Sequence, residues 1–456
     1  MEVSMTTTTS TALFYPELPA KLSRLVRFPT VSSYERSEED EEAFSALKRE
    51  LPSLYPLVHG AMKVEEPSDR ALLFSWKGKN PTLLPAILCA HFDVVPAENP
   101  GGWKHPPFSG EIADGEVWGR GTQDIKVIMA SLLEAAEGLI REGFAPERTV
   151  YFAFGGDEEI GGQRGAAAIA AHLDAAGVKA SFLADEGGPI TVGMLTLAEK
   201  PLALVGVAEK GYADFRLSTK GSGGHASMPP RHTAPGNLAR AIRAIEDHPF
   251  PARITPTMKA FLARLAPESR QPYRFLFRQL WLTAPAIKAA FASAPTTNAL
   301  IRTTAACTML KGSSKENVLA DAAEATLNVR ILPGDSSAAV MARLRRFAAP
   351  FGAKVSVKHE DDIVEPSGES GTDNEGWKAI EAALAASHPE AACIPFLFSA
   401  ATDTKHYRNI VEATYRFTPL IQSPEDLKGV HGDNERVRIA ELDRCAIFYR
   451  RLLEKL

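Results

Sequence analysis

The first part of the chain alternates between short apolar runs and amphipathic stretches. The apolar runs at 71–76, 85–93 and 148–156 predict buried strands, because they are short and polar residues flank them. The stretches at 124–143 and 161–177 have the apolar spacing of helices. Strands that alternate with helices predict a mainly parallel sheet that helices cover on both faces.

The pattern changes after Lys210. Residues 211–221 alternate between apolar and polar positions, which is typical of an antiparallel strand. Three further strands and two main helices complete a predicted α+β domain, and residues 254–294 form a helical stretch that prolines interrupt. The predicted strands and main helices lie at 211–221, 234–248, 300–312, 324–334, 336–352 and 353–361.

The α/β pattern returns near the carboxyl end of the chain. Residues 377–388 and 438–456 have helical spacing, and an apolar run begins at 392. We therefore predict an α/β protein with a mainly parallel mixed sheet, built from both ends of the chain, and an inserted α+β domain. The predicted boundaries are 1–210, 211–368 and 369–456.

The composition is that of a globular protein without a basic field. Of 456 residues, 45% are hydrophobic and 23% are charged, and the net charge is -5. We therefore expect binding neither to nucleic acid nor to a membrane. The scattered cysteines Cys89, Cys307, Cys393 and Cys445 favour reduced thiols in a cytoplasmic protein. The first residues lack the basic end and apolar core of a signal peptide.

Side chains that can bind a metal ion follow several of the apolar runs. They are His91 with Asp93, Asp124, Glu158 with Glu159, Asp185, and His431 in a later glycine-flanked loop. Ligands of an open parallel sheet bind at the carboxyl ends of its strands, so we expect these side chains to converge. Histidine and carboxylate ligands without thiolates suit zinc, and also cobalt or manganese. Taken singly, Asp124 could be a helix cap and His91 a buried structural histidine; together the set predicts a metal site.

Motifs along the chain also resemble those of a known family. Among them are "AHFDVVP", "WGRGTQDIK", "FGGDEEIGG", "LADEGG" and "VHGDNERV". In this order they resemble the aminoacylase/carboxypeptidase family of dinuclear zinc exopeptidases. The most similar branch is that of carboxypeptidase S and the N-fatty-acyl-amino-acid synthase/hydrolase. The resemblance covers nearly the whole chain, and it implies a zinc exopeptidase-like fold with an inserted lid or dimerisation domain.

The resemblance implies two zinc ions in each subunit. His91 and Asp185 would bind one ion, and Glu159 and His431 would bind the second. Asp124 would bridge the pair. Such ions would keep the clustered carboxylates ionised.

Catalytic roles follow from the same resemblance. Asp93 would orient the imidazole of His91. Glu158 would be the general base for a metal-bound hydroxide, and His225 of the inserted domain would stabilise the oxyanion. The chain departs from the family at Ile125, where many members have a second aspartate, and the family's peptide bond before this position is cis.

The expected reaction is hydrolysis of the amide bond of a dipeptide or N-acyl amino acid with a free carboxylate. Arg330 and Asn317 are candidates for binding that carboxylate, with an ion pair and a turn as the alternatives. Thr402 lies in a stretch that resembles the family's carboxylate-facing loop. A homodimer through the inserted domain is a further expectation from the family.

Two other functions stay open. One is a reversible hydrolase and synthase of N-fatty-acyl amino acids, which would use the same catalytic residues. The other is a metal-containing binding or scaffold protein without catalysis. Glu158 argues against the scaffold, because a purely structural metal site has no need of a base beside its ligands.

Overall fold

The computed structural model describes residues 14–193, 197–359 and 363–456. Residues 1–13, which were analysed above for a signal peptide, lie outside this description. None of the described helices combines the length and apolar character that a bilayer crossing needs.

The described residues form thirteen α-helices and seventeen strands. The helices are α1 Leu18–Val26, α2 Glu41–Leu54, α3 Pro56–Ala61, α4 Lys126–Arg141, α5 Ala166–Ala175, α6 Ala234–Glu246, α7 Pro256–Leu265, α8 Tyr273–Arg278, α9 Leu280–Ala292, α10 Pro295–Ile301, α11 Ser337–Ala348, α12 Glu375–Ser387 and α13 Ile439–Leu453. The strands are β1 Lys63–Glu65, β2 Ala71–Trp76, β3 Ala86–His91, β4 Ile112–Ala113, β5 Glu116–Trp118, β6 Val150–Gly155, β7 Phe182–Thr191, β8 Leu202–Glu209, β9 Gly211–Lys220, β10 Gly224–His225, β11 Thr304–Lys311, β12 Val318–Leu319, β13 Ala322–Ile331, β14 Lys354–Val357, β15 Ala392–Phe398, β16 Thr414–Gln422 and β17 Arg436–Arg438.

Eight strands form one mixed sheet in the order β1-β2-β6-β3-β7-β16-β8-β15. Its centre is parallel, because β3 pairs in parallel with β6 and β7, and β16 pairs in parallel with β7. Strands β1 and β2 add an antiparallel edge. The carboxyl ends of β3 and β6 therefore lie at one edge of the sheet: His91 is the last residue of β3, and Glu158 and Glu159 follow β6, whereas Asp185 lies within β7.

Helices cover both faces of this sheet. Ile87 and Cys89 of β3 share a core with Ile169 and Leu173 of α5. Side chains alternate along a strand, so the neighbouring Leu88 points to the opposite face, and it too is buried. Helix α4 contacts β3 and packs against α1 and α13.

Two compact units divide the chain. The outer unit comprises Met1–Val205, Ser370–Ile394 and Thr402–Leu456, and the inner unit comprises Gly206–Glu369 and Pro395–Ala401. The predicted boundaries lie after residues 210 and 368. The difference arises because β8 and β15, which carry the chain between the units, continue from the outer unit into the inner one.

The inner unit has its own antiparallel sheet and core. Its four strands run in the order β11-β13-β9-β14. Helices α6 and α11 contact this sheet, and Phe215 and Leu217 of β9 share a core with Leu238 of α6 and Leu344 of α11. The strand predicted at 300–312 begins only at Thr304, because the preceding residues belong to α10. A mixed sheet under helices with an inserted α+β unit confirms the predicted fold class.

Candidate metal centre

Strand β3 delivers His91 to the carboxyl edge of the sheet. The imidazole is buried, and its Nδ1 lies 3.1 Å from the backbone oxygen of Asp93 and 3.4 Å from Oδ1 of the same residue. Its other nitrogen, Nε2, lies 3.1 Å from Oδ1 of Asp124. The contacts of Nδ1 fix the ring so that Nε2 is directed at the neighbouring carboxylates.

The three consecutive acids after β6 have different partners. The Asp157 carboxylate accepts hydrogen bonds from the backbone N–H groups of Arg164 and Gly165, each at 2.7 Å, just before α5 begins. Asp157 is therefore a structural residue that closes the loop. Glu158 and Glu159 follow it in a short 3₁₀ turn, which Gly161 ends with a φ of 107°.

Asp93 holds the turn that carries the two glutamates. Its Oδ1 accepts a hydrogen bond from Glu158 N and its Oδ2 one from Glu159 N, both at 3.1 Å. Oδ2 also accepts a hydrogen bond from the Ser32 hydroxyl at 2.7 Å. The fully buried Asp93 carboxylate thus links the position of His91 to that of the glutamate turn.

Asp124 lies between two histidines. Its Oδ1 is 3.1 Å from His91 Nε2, and its Oδ2 is 3.0 Å from His431 Nε2. His431 Nε2 is also 3.3 Å from Glu159 Oε2. His431 has a left-handed φ of 58°, and the peptide bond between Asp124 and Ile125 is cis. One carboxylate with a histidine at each oxygen is the arrangement expected of a bridging ligand.

Glu435 joins the two loops that carry Asp124 and His431. Its carboxylate accepts hydrogen bonds from the backbone N–H groups of Gly121, Gln123 and Asp124 at 2.6–3.1 Å. It also pairs with Arg120 at 2.7 Å, and both side chains are buried. The sequence prediction did not include Glu435, although it lies within the quoted motif that contains His431.

Strand β7 supplies two carboxylates from its first half, of which only Asp185 was predicted as a ligand. Asp185 is buried, and its Oδ1 accepts a hydrogen bond from Glu186 N at 2.9 Å. Glu186 Oε1 lies 3.6 Å from His91 Nε2. The structure therefore brings Glu186 to the cluster, and the pair of adjacent acids within β7 was its signal in the sequence.

The carboxylates change the acidity of the histidines. Burial opposes protonation of His91, but Glu186 and Asp124 outweigh it, and the pKa of His91 is well above its usual range. Hydrogen bonds to Asp124 and then Glu159 raise the pKa of His431 to about 10. Burial would raise the pKa of Asp124, but its hydrogen bonds with His431 and His91 outweigh burial and lower that pKa. The carboxylates of the pocket therefore favour the protonated, positively charged form of both His91 and His431.

Glu158 responds in the opposite direction. Burial raises its pKa well above the usual range of a glutamate, and the negative charges of Asp403 and Glu159 add to the effect of burial. Burial of this kind disfavours the ionised carboxylate, and positive charge nearby, such as that of His91, favours it. Burial also raises the pKa of the neighbouring Asp157, whose carboxylate is used in the backbone hydrogen bonds described above.

The donor atoms of the cluster fit divalent cations. One atom each from His91, Asp124 and Glu159 lie within 4.8 Å of one another, and His91, Glu158 and Glu186 form a second such group. Glu159 Oε1 is buried and has no hydrogen-bond partner among the residues that the structure describes. Imidazole and carboxylate donors suit zinc, cobalt or manganese, and such an ion would satisfy the buried oxygen.

His225 and Asn317 both lie in the inner unit. Their segments are paired, because β10 contains His225 and β12 begins directly after Asn317. His225 is exposed on β10 and pairs with Val318 of β12. Its Nδ1 lies 2.7 Å from the Ser227 hydroxyl. Asn317 is exposed, and its backbone oxygen accepts a hydrogen bond from Ala226 N at 3.1 Å. The roles proposed for both residues stay predictions.

Arg330 and Thr402 have local partners. The Arg330 guanidinium lies over the ring of Tyr212, 4.9 Å from its centroid. Thr402 is buried in the outer unit and caps a 3₁₀ turn, with its hydroxyl 2.8 Å from that of Thr404. Substrate binding by either residue stays a prediction.

Comparison with known proteins identifies the family. The chain matches peptidase family M20/M25/M40 over residues 87–455. The chain belongs to this family. It is a metal-dependent hydrolase of the exopeptidase type, which confirms the predicted enzyme class.

Relatives of this M20 peptidase include the probable carboxypeptidase S-like 2 of Dictyostelium discoideum. The two are 37% identical over 442 residues, which cover 96% of this chain and 85% of the relative. The N-fatty-acyl-amino acid synthase/hydrolase PM20D1 of Mus musculus is 35% identical over 424 residues, 92% of this chain and 83% of that protein. Both belong to the branch that the motifs indicated, so the predicted family relationship is confirmed.

A solved structure has the same fold. The M20 family metallo-carboxypeptidase Sso-CP2 of Sulfolobus solfataricus superposes on the M20 chain with a TM-score of 0.68, covering 96% of this chain and 98% of that one. Sequence identity is only 17%, so this likeness concerns the fold alone.

Proposed function

We propose that the protein hydrolyses the amide bond of a dipeptide or N-acyl amino acid that has a free C-terminal carboxylate, in a site that holds two zinc ions. The observation that carries this proposal is the position of Asp124, whose two oxygens each lie about a hydrogen bond's length from a different histidine. Cobalt or manganese could replace zinc at the same donors.

The ligands divide between the two sides of Asp124. His91 and Asp185 would hold one ion, and Glu159 and His431 the other. Glu186, which lies 3.6 Å from His91, joins the first group as a candidate. When bound, the two ions would polarise the scissile carbonyl and make a water molecule more acidic.

Glu158 would move the proton. It would take one from the attacking water and return it to the leaving amine, since its raised pKa makes it able to hold a proton between these steps. Asp93 would orient His91 and hold the glutamate turn through its contacts to Glu158 N and Glu159 N. These contacts would hold the base and the ligands at fixed positions relative to each other during the reaction.

The remaining candidates would recognise the substrate. His225 would donate a hydrogen bond to the developing oxyanion. Arg330, Asn317 and Thr402 would bind the free carboxylate, for which a guanidinium is the strongest donor of the three.

The two candidate functions differ in the acyl group of the substrate. The similarity to PM20D1 supports a second candidate function, the reversible hydrolysis and synthesis of N-fatty-acyl amino acids. The similarity to a carboxypeptidase S-like protein supports peptides instead. Both reactions would use the same ligands and Glu158, so they differ only in what the acyl side of the site accepts.

The free thiols and the inner unit support two further proposals. All four cysteines are free, which supports a cytoplasmic location. The inner unit would carry a homodimer interface, as expected from the family.

Purified enzyme would test the function directly. Metal analysis by inductively coupled plasma mass spectrometry should find two zinc ions per chain after loading. The loaded enzyme should then hydrolyse at least one member of a panel of dipeptides and N-acyl amino acids with acyl chains from acetyl to oleoyl. Loss of activity when the terminal carboxylate is replaced by an amide would support carboxylate recognition. A loaded enzyme that cleaves no member of the panel would overturn the proposal and favour the scaffold.

A further inference from the structure

Four large apolar side chains are exposed together on consecutive helices of the inner unit. Tyr273 and Phe275 of α8 are 43% and 54% exposed, and Trp281 and Leu282 of α9 are 81% and 58% exposed. We call this group the α8–α9 surface. Exposed apolar groups of this size on adjoining helices indicate that another surface covers them.

The whole exposed side of α9 is apolar. Only Thr283 and Ile287 of this helix are buried. The exposed positions are Trp281, Leu282, Pro285, Ala286, Ala289, Ala290 and Ala292. A helix on the surface of a globular protein normally presents polar residues to water, so α9 is reversed with respect to the usual pattern. The run of alanines leaves this side without long side chains beyond Trp281 and Leu282.

The surrounding sequence is strongly basic. From Ser269 to Lys315 the chain contains no Asp or Glu. The cations in this stretch are Arg270, Arg274, Arg278, Lys288, Arg302, Lys311 and Lys315. Arg278 follows the exposed aromatics of α8, and Lys288 lies within α9. The net charge of -5 is therefore unevenly distributed along the chain, and helices α8 and α9 carry Arg274, Arg278 and Lys288 and no acidic residue.

We propose that the α8–α9 surface binds the headgroup region of an anionic lipid membrane. Aromatic and leucine side chains flanked by arginine and lysine are the composition that settles at a membrane surface. The helices have 6 and 13 residues, too short to span a bilayer, so they would lie in the interface. This proposal replaces the expectation from net charge that no membrane is bound.

The charge distribution argues against a second copy of the chain on this surface. A twofold interface places the same patch of both copies face to face. Here it would bring together two copies of helices whose charged residues, Arg274, Arg278 and Lys288, are all basic, which like-charge repulsion opposes. Anionic headgroups supply the negative charge that the stretch itself lacks.

The tryptophan already has a partner for its polar atom. The indole Nε1 of Trp281 donates a hydrogen bond to Gln279 Oε1 at 2.9 Å. The ring can therefore enter the acyl boundary without leaving its N–H group unpaired, which removes part of the cost of its desolvation.

Vesicle flotation of the full-length, metal-loaded enzyme would test the proposal. We expect flotation with vesicles that contain a quarter of phosphatidylserine in phosphatidylcholine, and much less with phosphatidylcholine alone or in half-molar salt. The double variant Trp281→Ser/Leu282→Ser should partition about a hundredfold more weakly, because it removes the largest apolar area. Arg278→Gln/Lys288→Gln should partition about thirtyfold more weakly to the anionic vesicles.

A matched control exists in the outer unit. Leu83 and Leu84 are 38% and 40% exposed, and Leu83→Ser/Leu84→Ser should float like the unchanged protein. The proposal is overturned by absence of flotation with anionic vesicles, or by equal flotation of the Trp281→Ser/Leu282→Ser variant. It is also overturned if that variant instead lowers the mass measured by light scattering, because a second copy would then cover the surface. Circular dichroism checks that each variant is folded.

Discussion

The two main sheets of the molecule are covered differently. Every residue of β3, in the eight-stranded sheet, is buried, whereas β9 of the four-stranded sheet alternates between buried and more accessible positions. A sheet that helices cover on both faces can present chemistry only where its strands end. A sheet covered on one face also has an open face and open edges. The outer unit therefore has its candidate metal ligands where strands of the large sheet end or are interrupted, and the inner unit, with an open sheet face, is where we propose contacts with other molecules.

Removing the proposed base should have the largest effect. Glu158→Gln keeps the size of the side chain and leaves the backbone hydrogen bond from residue 158 to Asp93 in place. The amide cannot accept the proton. We expect turnover to fall by about 10²–10⁴-fold while the bound metal is unchanged. Steady-state kinetics beside metal analysis measures both quantities. Near-normal turnover with two ions bound would exclude Glu158 as the base.

The strand-end loops should also make the protein sensitive to acid. Burial lowers the pKa of His406 to about 4, and its Nε2 lies 2.9 Å from Gly161 O in the turn after the glutamates. Between about pH 6.5 and about pH 4 the unfolded chain binds a proton at this histidine that the folded chain does not, so stability falls as the pH falls. The loss should approach about 3 kcal/mol.

Comparison of two proteins isolates this contribution. His406→Gln can place an amide N–H near the position of Nε2, as a donor for Gly161 O, and does not titrate. Urea unfolding between pH 7 and pH 4.5 should show a shallower loss of stability in the variant than in the unchanged protein. Parallel curves would mean that His406 is not responsible.

Glu435 tests whether the two ligand loops depend on each other. Glu435→Gln removes the charge that binds Arg120 and turns one acceptor oxygen into a donor facing backbone N–H groups. We expect zinc affinity to fall about 10–100-fold, the usual effect of losing a partner behind the ligands. Competition with a chromogenic chelator measures this affinity.

The matched control is another buried carboxylate of the outer unit. The Glu39 side chain is fully buried and pairs with Arg70 and Arg164, neither of which is a predicted ligand. Glu39→Gln should therefore destabilise the fold without changing zinc affinity. If both variants lose affinity equally, the effect belongs to the fold in general and Glu435 has no special part in it.

The open edge of the inner sheet should tolerate change best. Leu310 is 71% exposed on the edge strand β11, so Leu310→Lys should alter the free energy of unfolding by less than about 0.5 kcal/mol. A homodimer formed on this edge should dissociate in the variant, as light scattering would show. Ser356→Lys on the opposite edge strand, β14, is the control and should leave the dimer intact. A dimer that survives Leu310→Lys uses another surface.

The sequence predicted the elements that bury apolar runs, but it missed a central strand. β16 pairs with β7 in the middle of the large sheet, yet Arg416 and Thr418 interrupt its apolar pattern. The Arg416 guanidinium is buried and donates hydrogen bonds to the Thr404 hydroxyl. A buried arginine is acceptable only with such a partner from elsewhere in the chain, and no local pattern shows that partner.

The residues of the candidate site were likewise predictable where a local pattern marks them, and not where their partners are distant in the sequence. His91, Asp124 and Glu159 were predictable because each follows an apolar run or begins a helix, and strands of one sheet end together. Glu435 was not, because its partners lie 311 to 315 residues away. Its function depends on which backbone N–H groups the folded chain places around it.

The same separation determines when the site can form during synthesis. The Asp124 N–H group and the Glu435 carboxylate that accepts its hydrogen bond are 311 residues apart in the sequence. A ribosome makes the segment with Asp124 long before the loop with His431 and Glu435, so the nascent chain at first holds its early acidic residues without the groups that complete the pocket. The complete set of candidate ligands therefore exists only after the loop with His431 has been made.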